Sequence, residues 1–294
     1  MKAEFYIYND SFSWNAVDED DDVRQKIFSF CDVADQIHRF KDKNELFVNY
    51  DDGFVSTKVC SSGITLSSLI WNRELGKSFL SRDLYNRLLN AFQNFAKGTS
   101  MLKDDLMLLL QMDNDKCCHA ILVLNRIEEI PDNWQVVSTI KEWVDYRRRC
   151  LKEYPETGAN YLAECEMCFP RLVIHKDNEA SLNSLISTHV SEITRCLSVL
   201  NDCFFSDLKA FNGSHTDFLS HFGSAHKLDG SSFEGSGDKK FYKVFSDNIK
   251  HYCEPHLKMY HNDKGEVNCH CRVYFEFPPS NSTQIYVGYI CTHL

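Results

Sequence analysis

Between His256 and Phe277 the chain alternates polar and apolar side chains twice, and this pattern constrains the fold more than any other in the sequence. His256, Lys258 and Tyr260 alternate with Leu257 and Met259; His270, Arg272, Tyr274 and Glu276 then alternate with Cys271, Val273, Phe275 and Phe277. Successive side chains on a strand point to opposite faces, so each run is predicted to be a strand with one polar and one apolar face. The connection Asn262-Asp263-Lys264-Gly265 is hairpin-turn chemistry, with glycine where a positive φ is needed. A three-residue loop, Asp263 to Gly265, pairs Lys258 with His270 and His256 with Arg272, and it sets Met259 opposite Cys269 and Leu257 opposite Cys271. A two-residue loop mixes the faces, which is costly where one face is buried. A third strand, Gln284 to Ile290, carries the chain on to His293.

The polar row so formed holds His256, Lys258, Tyr260, His270, Arg272 and Tyr274. Metal-free RNA cleavage needs a base for the 2′-OH, a cation for the phosphorane oxygens and an acid for the leaving oxygen. Histidine supplies both proton roles near neutral pH, and Arg and Lys supply the charge. Glu254 or Glu276 is a further candidate base where its surroundings raise its pKa.

Charge is distributed to match. The net charge of −10 argues against non-specific nucleic-acid binding by the whole surface. Residues 205–294 contain nine Lys/Arg, ten Asp/Glu and eight of the twelve histidines, so nearly all the excess acid lies in residues 1–204. No stretch reaches the roughly 20 apolar residues of a membrane span. The start, MKAEFYIYND, lacks the apolar core of a secretory signal. A cytoplasmic protein without membrane contact is expected, and its thirteen cysteines are expected to be reduced.

Toward the N-terminus, Phe5–Tyr8 reads as a strand, and the acidic run Asp18–Asp22 as a solvated loop before a helix at Val23–Phe30. Glu45–Tyr50 and Phe54–Val59, separated by Asp51-Asp52-Gly53, are expected to form a hairpin. Ser81 caps a helix whose Leu84, Leu88, Leu89, Phe92 and Phe95 share a face, ended by Gly98. Leu106–Met112 and Ala120–Leu124 are expected as buried strands around a turn at Asp113–Lys116. Ser138 is expected to cap a helix running to Glu153, with Arg147, Arg148 and Arg149 solvated or facing a partner.

Leu182, Leu185, Ile186, Val190, Ile193, Leu197 and Leu200 give the strongest helical period in the chain and mark a core helix. Asn212 to Lys240 is predicted to be a mobile polar loop, and its Gly230-x-x-x-x-Gly235 is not followed by the Lys-Ser/Thr of a phosphate-binding loop. Lys239–Phe245 is expected to enter the C-terminal sheet as a strand. Cys165-Glu-Met-Cys168 would need Cys269 and Cys271 to complete a zinc site, yet the latter pair belongs to the apolar side of the hairpin. Core thiols, with no metal, cofactor or disulfide, are the expectation.

One long helix followed by about four antiparallel strands, with Lys, Arg and Tyr on the sheet face and His near the end, resembles the RelE-like toxin fold among the compact barnase- and colicin-type ribonucleases. The resemblance covers residues 180–294, and CRVYFEF…QIYVGYICTHL also looks like the terminal strands of prokaryotic toxin or phage-defence proteins. It implies that Lys258 and Arg272 hold the scissile phosphate, Tyr274 stacks a base, and His256 or His293 transfers the proton. The histidines depart from the RelE pattern, which often relies on basic residues and Tyr.

The expected architecture is α+β: an N-terminal α+β region over 1–175 with a regulatory or partner-binding role, then a long helix and an antiparallel sheet over 176–294. The expected function is metal-independent RNA cleavage by an effector of a toxin or phage-defence system, with RNA and a protein partner or inhibitor at the acidic region as partners. The alternative is a non-catalytic module that docks a partner through that acidic region.

Overall fold

A computed structural model of the protein describes residues 2–111, 117–127, 134–231, 238–292 and 294, with the backbone alone at 117 and 267–270. The chain is mixed α+β and divides into two units, Met1–Arg149 and Cys150–Leu294. The junction falls ahead of residue 175 because a strand just before that position belongs to the second unit's sheet.

In the first unit the elements are β1 (Lys2–Ile7), α1 (Asp20–Arg39), β2 (Asn44–Val48), α2 (Asp52–Ser56), α3 (Leu66–Trp71), α4 (Arg73–Phe79), α5 (Arg82–Asn90) with a π-turn at Ala91–Phe95, β3 (Ala96–Gly98), α6 (Lys103–Gln111), β4 (Cys117–Leu122), β5 (Val136–Val137) and α7 (Ile140–Glu153), which runs past the junction. The sheet has the order β3-β2-β1-β4-β5, and every pairing in it is parallel. Continuous apolar runs favour this arrangement: Ala120, Ile121 and Leu122 of β4 are all fully buried, as strands covered on both faces must be. On one face Tyr6 and Ile121 meet Leu106 and Leu110 of α6. On the other, Phe5 meets Tyr146 of α7 edge-on at 5.2 Å.

Several local expectations are overturned here. The hairpin at Glu45–Val59 is absent: Asp51 accepts a hydrogen bond from Phe54 N at 3.0 Å and caps α2, while β2 pairs in parallel with β1. An Asp-Asp-Gly sequence opens a helix as readily as a turn, and only the βαβ context separates the two. Leu106–Gln111 is not a strand but the greater part of α6, whose Leu106 and Leu110 are buried one turn apart, while Met112 and the turn expected at Asp113–Lys116 lie outside the described residues. The acidic run is a loop only at Asp18 and Glu19, since Asp20, Asp21 and Asp22 form the first turn of α1, where negative charge complements the positive end of the helix dipole. Arg147 is fully buried and Arg148 is 7% exposed, so these two are not solvated. Ser81 does cap α5, accepting from Leu84 N at 3.2 Å. Thr139, rather than Ser138, caps α7 by accepting from Glu142 N at 3.2 Å.

The second unit contains α8 (Gly158–Cys168), β6 (Leu172–Ile174), α9 (Asn178–Ala210), α10 (His215–Ala225), β7 (Asp229–Ser231), β8 (Tyr242–Val244), β9 (Lys250–Tyr252), β10 (His256–His261), β11 (Val267–Phe275) and β12 (Ile285–Cys291). Its main sheet has the order β6-β12-β11-β10-β7; β12, β11, β10 and β7 are antiparallel, and β6 joins the edge in parallel. The 33-residue helix α9 presents Leu182, Ile186, Val190, Ile193, Leu197 and Phe204 to the core formed with Leu257, Met259, Val273, Phe275, Val287 and Ile290. Cys165, Cys168, Cys196 and Cys271 are members of that same apolar core, and burial pushes the Cys271 thiol up to about 12.

The hairpin keeps the expected faces but not the expected partners. His256 pairs with Tyr274, Lys258 with Arg272 and Met259 with Cys271, and a register shift then brings His261 opposite Val267. The strands therefore run on to a turn in which Asn262 Oδ1 accepts from Lys264 N at 3.1 Å and Glu266 N at 2.9 Å, with Gly265 at φ +76°. A slip of two residues preserves which side chains share a face, so the apolar pattern alone does not resist it.

The segment Asn212–Lys240, expected as a loop, contains α10 and β7. They approach closely: a Cβ on Gly230 would lie 1.8 Å from Leu219 O, and one on Gly223 would lie 2.3 Å from Gly230 N. The expected strand at Lys239–Phe245 does not join the main sheet either. It begins as a 3-10 turn, and β8 pairs with β9 in a separate two-stranded sheet. That small sheet lies over the polar face of β11 and β12, with Phe241 6.0 Å from Tyr274 and Lys243 4.7 Å from the Tyr289 ring centre.

Candidate nucleic-acid interface

The antiparallel pairing of β10 and β11 sets four of the five sequence-selected residues side by side, Lys258 opposite Arg272 and His256 opposite Tyr274. His293 lies outside the described residues, as does the side chain of His270.

His256 Nδ1 is 3.0 Å from the Glu254 carbonyl oxygen. A carbonyl can only accept, so Nδ1 carries the proton and Nε2 is left as the acceptor. That Nε2 is enclosed and has no hydrogen-bond partner among the described residues. Burial, helped by the charges of Lys258 and Arg272, drives the imidazole pKa down from 6.5 to about 4. The ring is therefore neutral at physiological pH.

Arg272 Nη1 donates to the Tyr274 hydroxyl at 3.2 Å, and Arg272 Nε is enclosed without a partner among the described residues. Lys258 Nζ is 3.5 Å from Asp229 Oδ2 on the neighbouring β7, and the Tyr260 hydroxyl donates to the same carboxylate oxygen. Tyr274 is 3% exposed, its ring set 4.5 Å from His256 and 6.0 Å from Phe241. The expectation that Tyr274 stacks a base is corrected by this packing, which leaves the ring no open face. Its hydroxyl instead orients the guanidinium.

Both carboxylates considered as bases are engaged. Glu254 is 5% exposed and accepts from the Tyr252 hydroxyl at 2.6 Å. Glu276 Oε2 lies 2.7 Å from His251 Nδ1, and Asp247 Oδ2 lies 2.9 Å from His251 Nε2. His251, which sequence reasoning did not select, is also stacked on Tyr286 at 3.8 Å. Burial alone would lower its pKa, but the bonds to Glu276 and Asp247 outweigh that and raise it. Asp247 and His251 are four residues apart around the turn between β8 and β9, but Glu276 is far away in sequence, so only the docking of the small sheet creates the triad.

In the first unit the strand order reverses between β1 and β4, the place where an open parallel sheet leaves a crevice at its carboxyl edge. Asn9, just past β1, is 6% exposed and donates through Nδ2 to Asn49 O at 2.5 Å and Asp51 Oδ1 at 3.1 Å. Beside it, Lys103 Nζ lies 3.3 Å from Asp10 Oδ2. The acidic run nearby is engaged internally. Asp18 bonds Lys26 at 2.6 Å, Asp22 accepts from Glu19 N at 3.1 Å, Asp20 accepts from Ser61 at 3.2 Å, and Asp21 pairs with Arg24.

Comparisons of the chain with protein-family models, curated proteins and solved structures return no match. No described helix is long and apolar enough to cross a membrane.

Proposed function

We propose that the second unit binds and cleaves RNA at the polar face of β10 and β11, with Lys258 and Arg272 holding the scissile phosphate. One observation carries this reading. Diagonal positions of the face hold one enclosed acceptor, His256 Nε2, and one enclosed donor, Arg272 Nε, each without a partner among the described residues. Leaving such groups unsatisfied costs about 1–3 kcal/mol each, so the pair favours a ligand that offers a donor beside an acceptor and reaches them as the surrounding side chains move aside. A ribose 2′-OH next to a phosphate offers that combination, and DNA lacks the hydroxyl.

In this reading neutral His256 takes the 2′-OH proton through Nε2 as the 2′-oxygen attacks phosphorus. The bond from phosphorus to the 5′-oxygen breaks, and a 2′,3′-cyclic phosphate end remains. The leaving 5′-oxygen takes a proton from a second carrier, the role sequence reasoning gives to His293. Arg272 and Lys258 neutralise the phosphorane oxygens, and Tyr274 acts as a positioning residue for Arg272. Within the acidic run Asp18 and Asp21 pair with Lys26 and Arg24, and Asp20 and Asp22 accept hydrogen bonds, which leaves fewer of its carboxylates for docking a partner.

The test combines cellular toxicity and RNA integrity for wild type, Arg272→Ala and His256→Ala, with product ends analysed in vitro. Arg272→Ala abolishes cleavage while the fold persists, and His256→Ala slows it by about 10²–10⁴-fold. Intact RNA with the wild-type protein, or variants that cut as fast as wild type, overturns the reading.

A further inference from the structure

The enclosure of Tyr274 leaves open where a base would go, and a separate cleft of about 600 Å³ answers the question. It lies where β11 runs into the Pro278-Pro279 turn and is lined among others by His215, Tyr252, Pro255, Glu276, Phe277 and Pro278. Its volume falls within the range of small-molecule sites, about 300–1,000 Å³. We propose that this cleft receives a single unpaired nucleobase of the RNA, a proposal that rests on the RNA reading above and gives it a base subsite.

The lining selects for a flat, uncharged ring. His215 is exposed at the first position of α10 and lies face to face on Phe277, with ring centres 3.8 Å apart and planes 19° apart. The pair is a preformed stacking platform of the kind that holds splayed bases. Tyr252 contributes its ring rather than its hydroxyl, which is committed to Glu254. Glu276 is the one carboxylate on the wall among the described residues. One of its oxygens meets His251, and a carboxylate has about four acceptor sites in all, so it can also take an N–H from the edge of a base.

The same carboxylate repels phosphate, which places the backbone elsewhere. Arg272, Tyr274 and Glu276 occupy alternate positions along one strand direction, so they share a face. Arg272 and Glu276 are then about 13 Å apart by strand rise, with the phosphate row at one end and the base cleft at the other. A duplex keeps its bases stacked inside, so the cleft restricts the substrate to single-stranded RNA.

Binding is read from the Tyr252 and His215 ring resonances of the full chain as guanosine, adenosine, cytidine, uridine or ribose 5-phosphate is added. Nucleosides shift these resonances and ribose 5-phosphate does not; His215→Ala weakens nucleoside affinity by about 5- to 150-fold. Glu276→Gln weakens nucleoside binding, and a thermal melt reports separately on its lost bond to His251. The proposal is overturned if nucleosides leave both rings unmoved at saturating concentration, if ribose 5-phosphate shifts them equally, or if His215→Ala cleaves single-stranded RNA with an unchanged KM. Its failure is distinguishable from that of the cleavage reading. Nucleoside binding by a protein that leaves RNA intact removes the chemistry and keeps the cleft. Cleavage with equal efficiency on single and double strands removes the cleft and keeps the chemistry.

Discussion

Acidification acts directly on His256. Burial, with Lys258 and Arg272 beside it, holds the ring pKa at about 4 in the folded protein against 6.5 for the free side chain. Between those two pH values the unfolded chain takes up a proton and the folded chain does not. Stability contributed by the neutral ring is therefore fully present above 6.5 and is lost as pH falls toward 4. A fall from 6.5 to about 4 corresponds to a ceiling of about 3.4 kcal/mol. The ring is only partly enclosed, so solvent screening reduces this to about 1–2 kcal/mol. The assay is a histidine Cε1 proton NMR titration, assigned with His256→Phe, together with urea unfolding from pH 4.5 to 7. The wild type should lose about that amount across the interval, and His256→Phe should lose less by the same margin. Arg272→Gln, which removes one like charge, should move the midpoint upward while burial keeps it below 6.5. Cleavage should follow the same group, so the acid limb of kcat/KM should fall near pH 4 instead of 6.5. A midpoint at 6.5 would refute the argument, because it would mean that the ring is solvated and Nε2 is satisfied by bulk water.

Two further perturbations probe how the face is held. Gly230→Ala should cost about 1–3 kcal/mol in a thermal or urea melt, because its Cβ would lie 1.8 Å from Leu219 O and must drive β7 from α10; a variant that melts like wild type would contradict that close approach. His251 behaves oppositely to His256: its pKa is raised by Glu276 and Asp247, so the stability it contributes is present below the unfolded value of 6.5 and is lost as pH rises through the folded one. His251→Asn should flatten the alkaline side of the stability profile, and an unchanged profile from pH 6 to 9 would rule out the triad as the clasp of the small sheet.

What the sequence by itself determined is what a local period can encode. Alternation over 256–277 assigns Leu257, Met259, Cys271 and Val273 to the core and His256, Lys258, Arg272 and Tyr274 to the other face. The spacing from Leu182 to Leu200 marks a buried helix, and Ser81 before its apolar run marks a helix start. Each depends on neighbours a few residues away. Tertiary structure decided everything that depends on partners far along the chain. Strand register is invariant to a two-residue slip in any alternating pattern, so pairing Lys258 with Arg272 required the turn at Asn262–Glu266. Short apolar runs such as Leu106–Leu110 suit a strand or a helix alike, and the parallel sheet beneath them made that run helical. The same holds for the candidate site. Its residue types were legible, but the neutral state of His256, the enclosure of Tyr274, the His251–Glu276 bond and the cleft beside Phe277 arise only when β8 and β9 settle on the sheet and α10 packs beside it. Burial and electrostatics are properties of that assembled environment, and no single segment carries them.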